Sequence, residues 1–274
     1  MKSTINLILA FVVIPGSILT SCKKTETNLS ASTNEMPGNS VLQDSVYKGA
    51  KVKVFGGKAW VWVKLVGNVP EQLAITLTNS VLTRVPADSG SESEIVIPAP
   101  SQGNITAFHA FAVDWSAHGH APQGIYSVPL FDNHFYTITE SERQAILNDP
   151  DYDQHFANYP SQDYIPGGYG LINAGGIPGG GCITGVHWYY LNGPEFNNKK
   201  FKQTFVYGSY NGEVDFYDPM MTLQFLKNVQ SFERNIPQPS KFRTNGYYPT
   251  KLAVLKHDGV TDIIFENFVL RPAS

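Results

Sequence analysis

From Tyr47 onward, short runs of residues alternate apolar with polar, the period of two that belongs to half-buried strands. Residues 51–55 and 59–66 flank Gly56-Gly57 and predict a first hairpin. Residues 73–77, 81–85 and 95–97 continue the strand pattern, with an exposed loop over 87–94. Residues 108–115 are apolar enough for a central strand, 118–124 read as a Gly/Pro loop, and 125–138 form the longest strand-like run. Strands are also predicted over 186–190, 204–210 and 213–217, the last two joined by Asn211-Gly212, the strongest hairpin signal in the chain. Residues 251–256 and 262–269 make a closing hairpin.

Two segments have the helical period instead. Thr139 and Glu142 form a capping-box pair, Arg143, Ile146 and Leu147 carry the helix, and Asp149-Pro150 stops it. A second short helix is predicted over 220–229, entered from a strand-to-helix corner at Asp218-Pro219. Residues 151–181 are glycine-rich and loop-like, a length that usually marks function or mobility. No internal repeat is visible. The fold class expected is mainly β, an antiparallel sandwich or barrel with two short helices.

The N-terminal pattern is different. Met1-Lys2 supplies positive charge, residues 5–19 are almost wholly apolar, and Leu19-Thr20-Ser21-Cys22 reads as a lipobox. The apolar run is short for a membrane span. The expected organisation is a lipoprotein signal peptide over 1–21, a flexible lipid-anchored tether over 22–45 and a single β-rich domain over 46–274. Cys22 is the expected lipidation site, which places the protein in the cell envelope, anchored to a membrane on its extracytoplasmic side. The tether is rich in Lys, Thr, Ser and Asn and lacks apolar periodicity.

Composition narrows the partners. A net charge of −3, with no Lys/Arg pair beyond Lys23-Lys24 and Lys199-Lys200, argues against nucleic acid. There are only two cysteines, Cys22 and Cys182, so no disulfide framework staples the domain. Cys182 precedes His187 and a Cys–His nucleophile is conceivable, but nothing around it identifies an activating environment; a small residue entering a strand is the better reading. Trp60, Trp62, Trp115 and Trp188 suit a glycan platform, though buried tryptophans more often pack a sheet. P-loop, dinucleotide and nucleophile-elbow motifs are missing.

The candidate chemistry lies in three histidine-bearing segments. His118-Gly119-His120 precedes Ala121-Pro122, and on extended backbone the two imidazoles would share a side. Along residues 129–136, Leu130, Asp132, His134 and Tyr136 share one strand face, while Phe131, Asn133 and Phe135 share the other. His187 opens a later strand beside Trp188, and Asp218 follows further on. Imidazole and carboxylate together are ligands for Zn, Mn or Fe, so His120, His134, His187, Asp132 and Asp218 form a candidate metal set. The alternative is a non-catalytic ligand-binding or assembly lipoprotein whose histidines form a structural hydrogen-bond network. Neither reading names a small-molecule or glycan ligand, and a homo-oligomer stays open.

These segments together resemble an uncharacterised family of exported bacterial proteins with no assigned activity. The resemblance spans most of the mature domain, residues 47–270, and rests on Asp114-Trp115, Gly119-His120, Pro122 and Tyr126, on Pro129-x-Phe-Asp-x-His-Phe-Tyr136, on Val186-His187-Trp188, on Tyr207-Gly208, Tyr210 and Gly212, and on Asp218-Pro219-Met220 and Thr222. It implies export and a conserved polar cluster. The family pattern places His at position 130 and Glu at 218, where this chain has Leu130 and Asp218. The resemblance therefore implies a weakened or incomplete metal site.

Overall fold

The hairpins begin where the chain adopts positive φ. Phe55-Gly56, Asn211-Gly212 and Asp258-Gly259 each place two successive residues in the left-handed region, as a tight primed turn requires. The computed structural model describes residues 43–88, 93–174, 177–181 and 184–274. The lipobox, Cys22, most of the tether and Cys182 lie outside the described residues.

The strands in chain order are β1 (Asp44–Lys48), β2 (Val52–Val54), β3 (Gly57–Val66), β4 (Val69–Thr78), β5 (Ser93–Val96), β6 (Ala110–Ser116), β7 (Leu130–Tyr136) and β8 (Tyr169–Leu171). Next come β9 (Asn173–Ala174), β10 (Ile177–Pro178), β11 (Gly180–Gly181), β12 (Gly185–Tyr190), β13 (Gln203–Tyr210), β14 (Glu213–Thr222), β15 (Ser231–Asn235), β16 (Gly246–His257) and β17 (Val260–Arg271). Helices α1 (Asn79–Thr83), α2 (Glu140–Leu147), α3 (Tyr152–Phe156) and α4 (Leu223–Asn228) are short.

Two antiparallel sheets form a sandwich. One has seven strands, ordered β1-β3-β4-β17-β16-β15 with β2 beside β3. The other has eight, ordered β11-β12-β13-β14-β7-β6-β5 with β8 beside β12. The core between them joins Val61, Ile75, Val254 and Ile263 of the first sheet to Phe111, Phe131, Phe205 and Tyr217 of the second. Phe135 stacks on Phe265 across the gap at 4.0 Å between ring centroids. Trp115 and Trp188 are buried in this packing, and Trp60, on the other face of β3, is buried beneath Lys51, so none of the three offers a sugar platform.

The eight-stranded sheet also buries its other face, here called the outer face. Tyr126, Ile146 and Phe201, from a loop, α2 and the segment before β13, cover Leu130, Tyr136, Tyr189, Val206, Phe216 and Met220. A sheet packed on both sides explains why every residue of β6 and β7 is buried.

The sequence expectations hold for α2, whose Thr139–Glu142 capping box is fully formed, and for the 213–217 and 251–269 hairpins. Four corrections follow from local chemistry. Residues 81–83 belong to α1, because adjacent Val81 and Leu82 both bury, which a strand packed on one face cannot arrange. The strand expected over 125–138 is only β7; Pro129 lacks an N–H for the ladder, and the preceding residues fold over the outer face. Met220 and Met221 extend β14, and the helix starts only after Thr222, whose hydroxyl caps it by accepting from the Phe225 N–H. The 151–181 stretch is not all loop: it holds α3, β8 and the small β9–β10 pair.

Candidate functional site

Register brings the acids together. On the β6–β7 pair Asp114 lies directly opposite Asp132, and Ala112 opposite His134. Two carboxylates facing each other across strands repel unless cations sit beside them. His134 Nδ1 lies 2.8 Å from Asp114 Oδ2, and His120 Nε2 lies 3.4 Å from Asp132 Oδ1. The first contact is a close ion pair off the N–H axis rather than a linear hydrogen bond.

Asp218 comes from β14, on the other side of β7. Pro219 stands in the middle of that strand, not at a corner, and has no N–H to give. The β7–β14 ladder is interrupted between its Tyr217–Phe135 and Met221–Phe131 pairs. Side chains bridge the gap: Asp218 Oδ1 accepts from the Asn133 N–H at 2.8 Å, and the Asn133 amide donates to the Pro219 carbonyl at 2.8 Å. This ties down one Asp218 oxygen and leaves Oδ2 buried without a hydrogen-bond partner.

His187 reaches the same place from β12, where it pairs with Gly208. A Cβ on Gly208 would lie 1.7 Å from the Phe216 ring, so the glycine exists to seat that ring. Phe216 in turn packs edge-on against both imidazoles, at 4.9 Å from His134 and 5.3 Å from His187. The two imidazoles stand 6.5 Å apart, centroid to centroid. Thr184 Oγ1 lies 3.2 Å from His187 Nε2 and Tyr189 Oη 3.4 Å from Nδ1, so hydroxyls satisfy a neutral ring.

His120 is delivered by its loop. Gly119 has φ +67°, and a side chain there would strike the Tyr126 carbonyl. That kink breaks the extended geometry expected for His118 and His120. The two do not face one way: His118 points to solvent near Asp88, while His120 turns inward. The His120 Nδ1 lies 3.0 Å from the Ala121 carbonyl, which only accepts, so Nδ1 carries a proton. Its Nε2 then faces a carboxylate either as the second N–H of an imidazolium or with a lone pair, an arrangement that needs a cation between.

The electrostatics follow from crowding. Burial lowers His134, but Asp218, then Asp114 and Asp132, outweigh it and raise the imidazole to about 10. Burial, with the neighbouring His134 and His120, pushes His187 down to about 3. Burial pushes Asp132 up, yet His120, then His134 and His187, bring it below the ordinary carboxylate value. Burial, with Asp132 nearby, raises Asp218 to about 8.

His120, His134, His187, Asp132 and Asp218 thus gather on one face of one sheet. Sequence reasoning left Asp114 out of the candidate set, although the small residues Ala110 and Ala112 preceding it on the same face signalled its place. It also missed a flanking ion-pair chain. Arg143, wholly buried, holds Glu140 through two bonds of 2.8 Å, pairs with Glu94, and lies over the Tyr136 ring. Leu130 is also wholly buried on this face. As the side chains stand, no three His, Cys, Asp or Glu among the described residues are gathered as a metal ion requires. No family model, no curated protein and no solved structure matches the chain.

Proposed function

We propose that the protein is an exported envelope lipoprotein, anchored through Cys22, whose outer-face cluster takes a divalent metal ion, Zn, Mn or Fe, in a weak site. The supporting observation is a pair of orphans: His134 Nε2 and Asp218 Oδ2 are both buried without hydrogen-bond partners, and Asp218 is the charge acting most strongly on His134. Three buried carboxylates sharing this face demand positive charge, which protons or a metal ion can supply. His134 touching Asp114 through Nδ1 while Nε2 stays open is the pattern of a ligand oriented by a carboxylate. The residues that would hold the ion are His134 and Asp218, with His120, Asp132 and His187 around them. Such an ion supplies Lewis acidity and an activated water for hydrolysis or oxidation. The chain's own contribution is to orient His134 through Asp114, to hold Asp218 through the Asn133 backbone N–H, and to screen the face with Tyr126 and Phe216.

The second reading is a charge-balanced structural network in a non-catalytic binding or assembly protein. It is favoured by the lack of a gathered donor set among the described residues. One experiment separates the two. Calorimetric titration with Zn and Mn is run on the wild type, Leu130→His and His134→Ala. Leu130→His is expected to tighten binding about tenfold, the scale of a repaired metal environment. His134→Ala is expected to abolish binding in either background. If neither wild type nor folded Leu130→His binds, the network reading replaces the metal.

A further inference from the structure

A second feature lies among residues outside the His/Asp cluster. The segment before β13 runs Lys199-Lys200-Phe201-Lys202. Phe201 is buried and meets Tyr126 edge-on at 4.8 Å, which pins the segment and leaves the three lysines in solvent. The Lys202 carbonyl accepts from the Thr222 N–H at 2.9 Å and fixes the segment to the end of β14. Directly after Thr222, α4 brings half-buried Leu223 and Phe225 and, on its last turn, exposed Lys227.

Between these walls, with Ile125, Val128 and Pro129 on its far side, is a concave cleft of about 1000 Å³. That is the upper end of the range that encloses a small organic molecule. Its lining combines aliphatic and aromatic side chains with four cations, Lys199, Lys200, Lys202 and Lys227, and the polar side chains of Thr222, Gln224 and Asn228. Among the described residues none of the four makes a salt bridge. The one acid in the lining, Glu195, is buried and accepts a bond from the Tyr126 hydroxyl at 3.3 Å. In a chain with net charge −3, four unpaired cations around one apolar groove form a local field of the opposite sign.

We propose that this cleft binds a single-chain anionic amphiphile of the fatty-acid type. Its carboxylate would sit among the lysines and its alkyl chain along Val128, Leu223 and Phe225. A concave groove suits one chain better than a flat bilayer, which could touch only its rims. A purely polar anion would leave the apolar lining uncovered.

The test is calorimetry on the full-length chain carrying Cys22→Ser, so that no attached acyl chain competes. The probes are decanoate, laurate and dodecyltrimethylammonium below their micellar concentrations, with phosphatidylglycerol vesicles in a parallel sedimentation arm. Laurate is expected to bind with 1:1 stoichiometry, more tightly than decanoate. About fourfold per added methylene is the ceiling if each is fully buried. Dodecyltrimethylammonium, with an alkyl chain one carbon longer and the opposite head charge, is expected to bind at least tenfold more weakly. Lys200→Glu with Lys202→Glu is expected to weaken laurate at least tenfold with an unchanged melting curve, because both side chains are exposed. Val128→Asp provides an independent check on the apolar wall, with the same loss expected. The proposal is overturned if laurate does not bind, if both head groups bind alike, or if only vesicles are bound.

Discussion

Arg143 is a guanidinium with no solvent exposure, and its two carboxylate partners reach water to different degrees, 20% for Glu94 and 40% for Glu140. Replacing it with Met keeps the volume and removes the charge. Glu140 can turn to solvent at little cost; Glu94 is held beside Asp114 and His134 and cannot. Breaking a fully buried pair by removing one partner costs about 3–5 kcal/mol, and the partial exposure of Glu94 brings the expectation to about 3. At roughly 2–4 °C per kcal/mol for a domain of this size, Arg143→Met should melt about 6–12 °C below wild type at pH 7.5. The pH dependence carries the mechanism. Burial already raises Glu94 above its ordinary value while Arg143 pulls it down, so losing Arg143 raises it further. A carboxyl raised in the folded state has its full stability below the unfolded value, about 4.3, and loses it as pH climbs. The penalty of the variant should therefore shrink toward pH 4, and Glu94→Gln added to Arg143→Met should recover more than half of it. Thermal melts by circular dichroism at pH 4 and 7.5 measure this. A loss under 2 °C at pH 7.5, or one equally large at pH 4, refutes the reasoning.

Three further outcomes can be checked. Asp215 is buried with neither carboxylate oxygen hydrogen-bonded, and burial pushes its carboxyl well above the ordinary value, so its stability is present at low pH and lost as pH rises. Asp215→Asn should raise the melting temperature by about 2–4 °C at pH 7.5 and flatten its pH dependence; a lower melting temperature would contradict this. Gly208→Ala drives a methyl into the buried Phe216 ring and should cost about 1–3 kcal/mol in denaturant unfolding, with a neutral result counting against Phe216 as a fixed wedge. Cys22→Ser should move the protein from the membrane to the soluble fraction, and unchanged fractionation would remove the lipoprotein reading.

Much of the fold was legible because strand period and turn chemistry agree. Asn211-Gly212 and Asp258-Gly259 specify primed turns, and the alternation in residues 130–136 alone places Asp132 and His134 together. What local pattern could not reveal was a sheet buried on both faces. Outer-face residues of β6 and β14 look like any apolar core, so Asp114 stood out only as part of a motif and not as a site residue. Asp218-Pro219 looked like a corner because a proline in a central strand is normally excluded; the Asn133 side chain makes it tolerable, a compensation arising from another strand. His118 and His120 separate because Gly119 takes positive φ, a choice set by contact with Tyr126 rather than by the triplet itself.

The metal reading stands on two buried atoms, His134 Nε2 and Asp218 Oδ2. Anomalous diffraction at the zinc edge, from crystals grown with zinc and no chelator, tests it most directly. An anomalous peak between those two side chains, lost in His134→Ala crystals, is the expected result. Zinc found only at exposed His118 or His257, with the outer-face cluster bare, would contradict it.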